Sequence, residues 1–154
     1  MEFWDVIQKR RSVRSFLLNK DITREQIQKI ITAGKHAPSA GGIYPVEFIV
    51  VEEPGLINQL GAAAGSQKHV LDASVLIVIV SDVEKSAVRY GSRGRELYAI
   101  QDAAAAVENM LLTIVDLGLA SCWVGAFEEA EVSQILSLPE HKRPLTILPI
   151  GYVA

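Results

Sequence analysis

Between Thr23 and Ala37 the apolar positions fall at Ile27, Ile30, Ile31 and Gly34, the spacing of one helical face, and Thr23 with Gln26 has the spacing of a capping box. An amphipathic helix is predicted there, stopped by Pro38, because the residue before a proline is pushed out of the helical region. Other stretches follow a different period. Val46 to Val51 is β-branched and aromatic, and Val75 to Val80 is an unbroken aliphatic run, the pattern of a fully buried strand. Pro54 opens a further helix to about Leu60, and Glu2 to about Arg10 forms a short one. Strands at Leu119 to Val124 and Leu145 to Tyr152 bracket a helix from about Glu128 to Leu136. No fixed-period repeat, Pro/Ser-rich linker or low-complexity tract breaks this order, so residues 1–154 are expected to form one domain of α+β or α/β class.

The longest helix is predicted from about Leu97 to Leu117. Its polar residues Gln101, Asp102, Glu108, Asn109, Thr113 and Asp116 fall within a sector of roughly 140° at about 100° per residue. The remainder is apolar and includes Ala103 to Ala106, whose small side chains permit close backbone approach. Such a helix is expected to be buried on two sides. It lies either inside a monomer or, with Leu111 on its broad apolar side, against a second subunit.

Composition sharpens this picture. Hydrophobic residues make up 49% of the chain and charged residues 21%, which excludes a disordered chain. A net charge of −3 argues against a nucleic-acid binder, which would need cations spread along a groove. The single cysteine forbids an internal disulfide. Met1 to Trp4 shows neither the basic nor the apolar region of a signal peptide, and no aliphatic run approaches the roughly 20 residues of a membrane span. A soluble cytoplasmic protein, without membrane or nucleic-acid partners, is expected.

Three segments carry candidate chemistry. Lys9, Arg10, Arg11 and Arg14 place four cations in six residues around Ser12, either a solvated turn or a cradle in which guanidinium forks and a hydroxyl hold a phosphate or polarised carbonyls. Ala37 to Pro45 contains Pro38, Ser39, Ala40, Gly41 and Gly42, a plain turn or a loop whose backbone approaches a ligand closely. Gly118 to Phe127 is a strand ending in small residues, able to present backbone N–H groups to a flat ligand, and Cys122 within it is expected to be a buried thiol rather than a nucleophile. No Walker loop, G-x-G-x-x-G or metal-ligand spacing of His36, His69 and His141 occurs. Arg89 to Arg95 reads as a second basic loop, solvated or covering an anionic ligand.

Taken together these segments resemble the nitroreductase family of flavin-dependent oxidoreductases. The resemblance runs through Arg10 to Phe16, Ala37 to Phe48, Gln101 to Leu112, Gly118 to Phe127 and Leu148 to Tyr152, nearly the whole chain in order. It implies an α+β fold, a mainly antiparallel sheet flanked by helices, working as an intertwined homodimer with FMN at the subunit interface. Arg10, Arg11, Ser12 and Arg14 match the segment holding the FMN phosphate, ribityl chain and pyrimidine edge. Pro38, Ser39, Ala40 and Gly42 match the loop covering the flavin from the partner, and Gln67 lies near a position that touches it. Trp123, Val124, Gly125 and Ala126 match the strand end against the isoalloxazine ring, where a backbone N–H points at N5.

The implied activity is electron transfer from NAD(P)H through bound flavin to a small acceptor such as a quinone or nitroaromatic; the alternative is a noncatalytic flavin-binding protein. The chain departs from the family pattern in two places. Gly125-Ala126 stands where many relatives carry Glu-Gly, and the sequence stops at Ala154 where relatives continue into a basic tail, so weaker retention of the phosphate is expected.

Overall fold

The computed structural model describes residues 1–154 and contains seven α-helices and one four-stranded sheet. Strands β1 (Val46–Val51), β2 (Val75–Asp82), β3 (Ala120–Ser121) and β4 (Lys142–Gly151) lie in the order β1-β2-β4-β3, and every pairing is antiparallel. The helices are α1 (Phe3–Lys9), α2 (Arg24–Lys35), α3 (Pro54–Ala63), α4 (Lys68–Leu71), α5 (Val83–Arg93), α6 (Ala99–Asp116) and α7 (Glu129–Ile135). No helix is long and apolar enough to cross a membrane.

The aliphatic run on β2 serves two cores at once, because successive strand side chains point to opposite faces. Val75, Ile77 and Ile79 pack with Ile27 and Ile30 of α2 and with Val107, Met110 and Ile114 of α6. Leu76, Val78 and Val80 pack on the other side with Leu60 and Ala63 of α3, Val70 of α4 and Val132 of α7. Full burial of each such side chain is worth about 1.5–3 kcal/mol, so neither face can be left to water.

Helix α2 begins as its sequence indicates: the Thr23 hydroxyl accepts from the Gln26 amide at 3.2 Å, while the Gln26 side chain accepts from the Thr23 amide at 2.9 Å. The helix ends at Lys35, before Pro38. Three expectations change. The predicted strand at Leu119 to Val124 shrinks to Ala120–Ser121 plus an isolated bridge between Val124 and Ile147, so Trp123 to Ala126 is irregular chain beyond a strand. The predicted basic loop Arg89 to Arg95 is helical apart from a kink at Gly91, φ 60°: beyond it α5 runs into a π-helical turn, Gly94–Tyr98, that feeds directly into α6. Gly94 is there for contact, since a Cβ on it would come within 2.5 Å of the Ser86 carbonyl oxygen.

The third change concerns α6. Its buried side includes Asp102, Ala103, Ala106, Val107, Met110, Leu111 and Ile114, which span roughly half the circumference at about 100° per residue. The sheet and α2 supply the two covering layers within one chain. Leu111, expected on the outward apolar side, is inside the core, and the polar Asp102 is buried with it. The half-open side instead carries Ala104, Ala105, Leu112 and Val115 beside the exposed Gln101 and Glu108.

Candidate functional site

The N-terminal basic segment is stitched to the sheet edge formed by β3 and the end of β4. Val13 donates its amide to the Ser121 carbonyl at 2.9 Å, Leu17 donates to the Tyr152 carbonyl at 2.9 Å, and Phe16 bridges Val153. Val13 and Phe16 are buried, while Ser12, Arg14 and Ser15 around them are exposed to solvent. Arg10 and Arg11 line a small crevice of about 90 Å³ against Leu111, Leu119, Ala120 and Val153.

A second segment reaches the same edge from α3 and α4. Gly65 turns the chain at φ 71°, and the Gln67 amide donates to the Ala64 carbonyl at 2.8 Å and to the Ala126 carbonyl at 3.3 Å. Both acceptors are carbonyls, so the amide nitrogen is fixed toward them and Gln67 Oε1 is left without a donor. An open depression of about 570 Å³ lies here, lined by Gly65, Gln67, Ala126, Phe127 and Glu128. Neither the Gly125 nor the Ala126 amide donates to a protein acceptor.

His69 completes the group, and nothing in the sequence singled it out beyond its lack of metal-ligand spacing. It is 7% exposed, and its Nε2 has no hydrogen-bond partner. Burial, helped by the Arg14 guanidinium, holds its pKa below the ordinary imidazole value, so the ring is neutral at pH 7. An orphaned polar atom in such a place costs free energy unless something bonds to it. The signal that could have found it is positional, two residues after Gln67 at the start of a short helix.

The loop Pro38 to Gly42 is held elsewhere. Ser39 donates its hydroxyl hydrogen to Asp102 at 2.6 Å, the Ala40 amide donates to the same carboxylate at 3.1 Å, and Tyr44 donates its amide to Ser39 Oγ at 2.9 Å. Gly41, Gly42 and Tyr44 all take positive φ. Within one chain, then, Arg14, Gln67, His69 and Trp123 to Ala126 form one group, whereas Pro38, Ser39, Ala40 and Gly42 form another around Asp102, and no hydrogen bond joins the two. Cys122 is buried at 3% exposure, and its thiol's sole hydrogen-bond partner is the Trp123 carbonyl, at 3.9 Å. It is packing, as its apolar surroundings indicate.

The chemistry of the first group is that of a site for a flat heterocycle with alternating donors and acceptors. Arg14 acts on His69 and Gln67 reaches Ala126, so neighbouring segments offer a guanidinium, a neutral imidazole, a free amide oxygen and two free backbone N–H groups, with the exposed Trp123 on the same stretch of chain as those amides. A flavin fits this set: its pyrimidine edge carries carbonyl oxygens, an N–H and ring nitrogens, and the orphaned His69 Nε2 is the kind of atom that it would satisfy.

Comparison with known proteins bears on the same question. The sequence model of the Nitroreductase family matches residues 7–67 and 52–152. An Archaeoglobus fulgidus protein named for NADH dehydrogenase or NAD(P)H nitroreductase activity is 32% identical over 151 residues, 96% of this chain and 83% of its own length. The crystal structure of a nitroreductase family protein from Clostridium novyi superposes with a TM-score of 0.91 at 31% identity, covering 100% of this chain and 86% of the other. The NADPH:FMN oxidoreductase of Vibrio harveyi, solved in complex with NAD+, gives a TM-score of 0.88 at 28% identity, over 98% of this chain and 68% of that one.

Proposed function

The chain belongs to the nitroreductase family, and from that premise we propose that it is an FMN-dependent oxidoreductase that takes electrons from NAD(P)H and delivers them to a small acceptor of the quinone or nitroaromatic class. The observation that carries the reading is the gathering of Arg14, Gln67, the orphaned His69 and the free Gly125 and Ala126 amides at one sheet edge. The whole chain serves as one flavin-binding domain, working in the cytoplasm.

Bound FMN supplies the hydride and electron transfer between donor and acceptor. The protein residues hold, orient and polarise. Arg10, Arg11 and Ser12 offer guanidinium forks and a hydroxyl to the phosphate and ribityl chain. Arg14 and neutral His69 would face the pyrimidine edge, where a guanidinium favours negative charge on the ring and an uncharged imidazole leaves that charge unopposed by a second cation. Gln67 Oε1 would accept an N–H, the free Gly125 and Ala126 amides would donate to ring nitrogen and oxygen, and Trp123 with Val124 would back the ring. No acid–base side chain is required.

Because the Pro38 to Gly42 loop stands apart from this group in one chain, the reading includes a homodimer in which the partner's copy of the loop covers the flavin. The half-open side of α6 and the exposed Phe3 (69%) and Trp4 (66%) beside it supply apolar surface for that association.

The test begins with colour. FMN added to the protein is expected to be retained with a flavin absorption spectrum that NADPH or NADH bleaches without oxygen and that a quinone restores. A protein that stays colourless at saturating FMN refutes the reading, and one that binds FMN without any turnover is a flavin carrier instead. Arg14→Ala is expected to weaken FMN by about 1.5–3 kcal/mol, the value of a hydrogen bond to a charged group, read by fluorescence titration. Unchanged affinity would leave Arg14 in solvent.

A further inference from the structure

Helix α5 carries a row of cations that no carboxylate answers. Lys85, Arg89 and Arg93 recur every fourth residue, and each is bonded only to a neutral acceptor. Lys85 Nζ donates to the Tyr44 carbonyl at 3.4 Å, Arg89 Nη1 to the Gly41 carbonyl at 3.3 Å, and Arg93 Nε to the Tyr98 hydroxyl at 2.9 Å. The nearby Arg95, by contrast, is neutralised by Glu84 at 2.7 Å.

The two guanidiniums are also held in place. Arg89 lies over the Tyr90 ring at 5.3 Å and Arg93 over the Tyr98 ring at 5.4 Å, while the two rings meet edge to face at 5.1 Å. Gly41 makes this seating possible, since a Cβ on it would come within 2.5 Å of the Tyr90 hydroxyl and 2.9 Å of Arg89 Nη1. Each guanidinium has five N–H donors and spends one on the protein, so most of the fork is left exposed. Like charges spaced in this way repel, and an anion would relieve them.

The row is compact: Lys85 and Arg89 lie one turn apart, about 6 Å at helical rise, and beyond the break at Gly91 the Tyr90–Tyr98 ring pair brings Arg93 alongside, which suits a small molecule with a few phosphates rather than a polymer. It lies against the Gly41 to Tyr44 turn, the loop that the oxidoreductase reading places over the flavin. We propose that Lys85, Arg89 and Arg93 bind the phosphates of the nicotinamide dinucleotide and that the two guanidiniums select the 2′-phosphate of NADPH over the 2′-hydroxyl of NADH. This inference rests on the oxidoreductase reading. Its physical basis is the match between guanidinium forks and a phosphomonoester of nearly two negative charges, for which a hydroxyl offers no equivalent.

The test uses FMN-loaded protein and two probes that cannot donate hydride, adenosine 2′,5′-bisphosphate and adenosine 5′-monophosphate, compared by titration calorimetry. The bisphosphate is expected to bind about tenfold tighter or more, the scale of one charge-assisted hydrogen bond. The R89Q/R93Q protein is expected to bind the two equally, R89K/R93K to lose part of the preference, and R95Q to keep it. The KM ratio of NADPH to NADH is expected to follow the same order. The absence of a preference, or one that survives R89Q/R93Q with the fold intact by circular dichroism, overturns the proposal. Release of FMN from R89Q/R93Q assigns the row to the flavin's own phosphate and overturns it equally. Should wild-type protein keep the bisphosphate preference yet oxidise neither NADPH nor NADH, this site stands and the oxidoreductase reading falls.

Discussion

A Leu111→Glu protein is expected to lose its fold, whereas Ala104→Arg on the same helix is expected to keep the fold and lose its partner. Leu111 is 6% exposed and packs in the core between α6 and the sheet, among Val107, Ile114 and Leu119. A carboxylate there must either stay among these apolar side chains or turn out into the Arg10–Arg11 crevice, and in both cases the core loses a buried leucine, a cost of about 2–5 kcal/mol out of the roughly 5–15 kcal/mol that stabilises a domain. Urea unfolding is expected to show a collapsed midpoint or no cooperative transition. Ala104 is about two turns earlier and on the half-open side, so a guanidinium there reaches water in the monomer. In a dimer packed on that side it would be buried without a partner. Light scattering is therefore expected to give a dimer for the wild type and a monomer of native circular dichroism for Ala104→Arg. An Ala104→Arg protein that remains dimeric would move the interface off this helix face.

The second large effect is expected at Asp102. Its carboxylate accepts from Ser39 Oγ and from the Ala40 amide, and Ser39 Oγ in turn accepts from the Tyr44 amide, so a single side chain on the first turn of α6 ties down a turn with three positive-φ residues. Asp102→Ala removes both bonds and leaves two donors without their acceptor, a loss of about 1.5–3 kcal/mol for each hydrogen bond to the charged group. Asp102→Asn keeps the shape and one acceptor and is expected to recover about half of that. Hydrogen exchange across residues 38–45 is the direct readout. Faster exchange confined to this loop is expected for Asp102→Ala, with weaker FMN binding as its consequence if the loop covers the flavin of a partner. Exchange at the wild-type rate would mean that Asp102 anchors nothing.

The contrast between these two predictions shows how far the sequence could be read. Periodicity located α2 and its capping box, β1 to its residues and the β2 run, because each depends on local chemistry: a hydroxyl three residues from an amide, or side chains alternating between two covered faces. The same reasoning misread α6. A polar sector on a helix ordinarily faces water, yet Asp102 faces the Ser39 loop and Asn109 donates to the Ala33 carbonyl of α2 at 3.2 Å, so part of that sector is turned inward. Gly91 and Gly94 likewise look like turn residues from composition alone. Gly91 does break the helix at φ 60°, but Gly94 serves to bring the π turn against Ser86, a requirement set by a neighbour eight residues away.

Of the candidate site, the sequence by itself determined the cationic segment Arg10 to Arg14, the loop Pro38 to Gly42 and the small residues after Trp123, since motif spacing and residue type are properties of the chain. Only the tertiary structure decided that His69 is a buried, unpartnered imidazole, that Gln67 spends its amide on Ala64 and Ala126, and that the loop stands on Asp102 away from Arg14. A lone histidine has no pattern along the chain. Its role depends on which distant groups remove its water without replacing the hydrogen bond, and that is fixed when the sheet edge, α4 and the N-terminal segment come together.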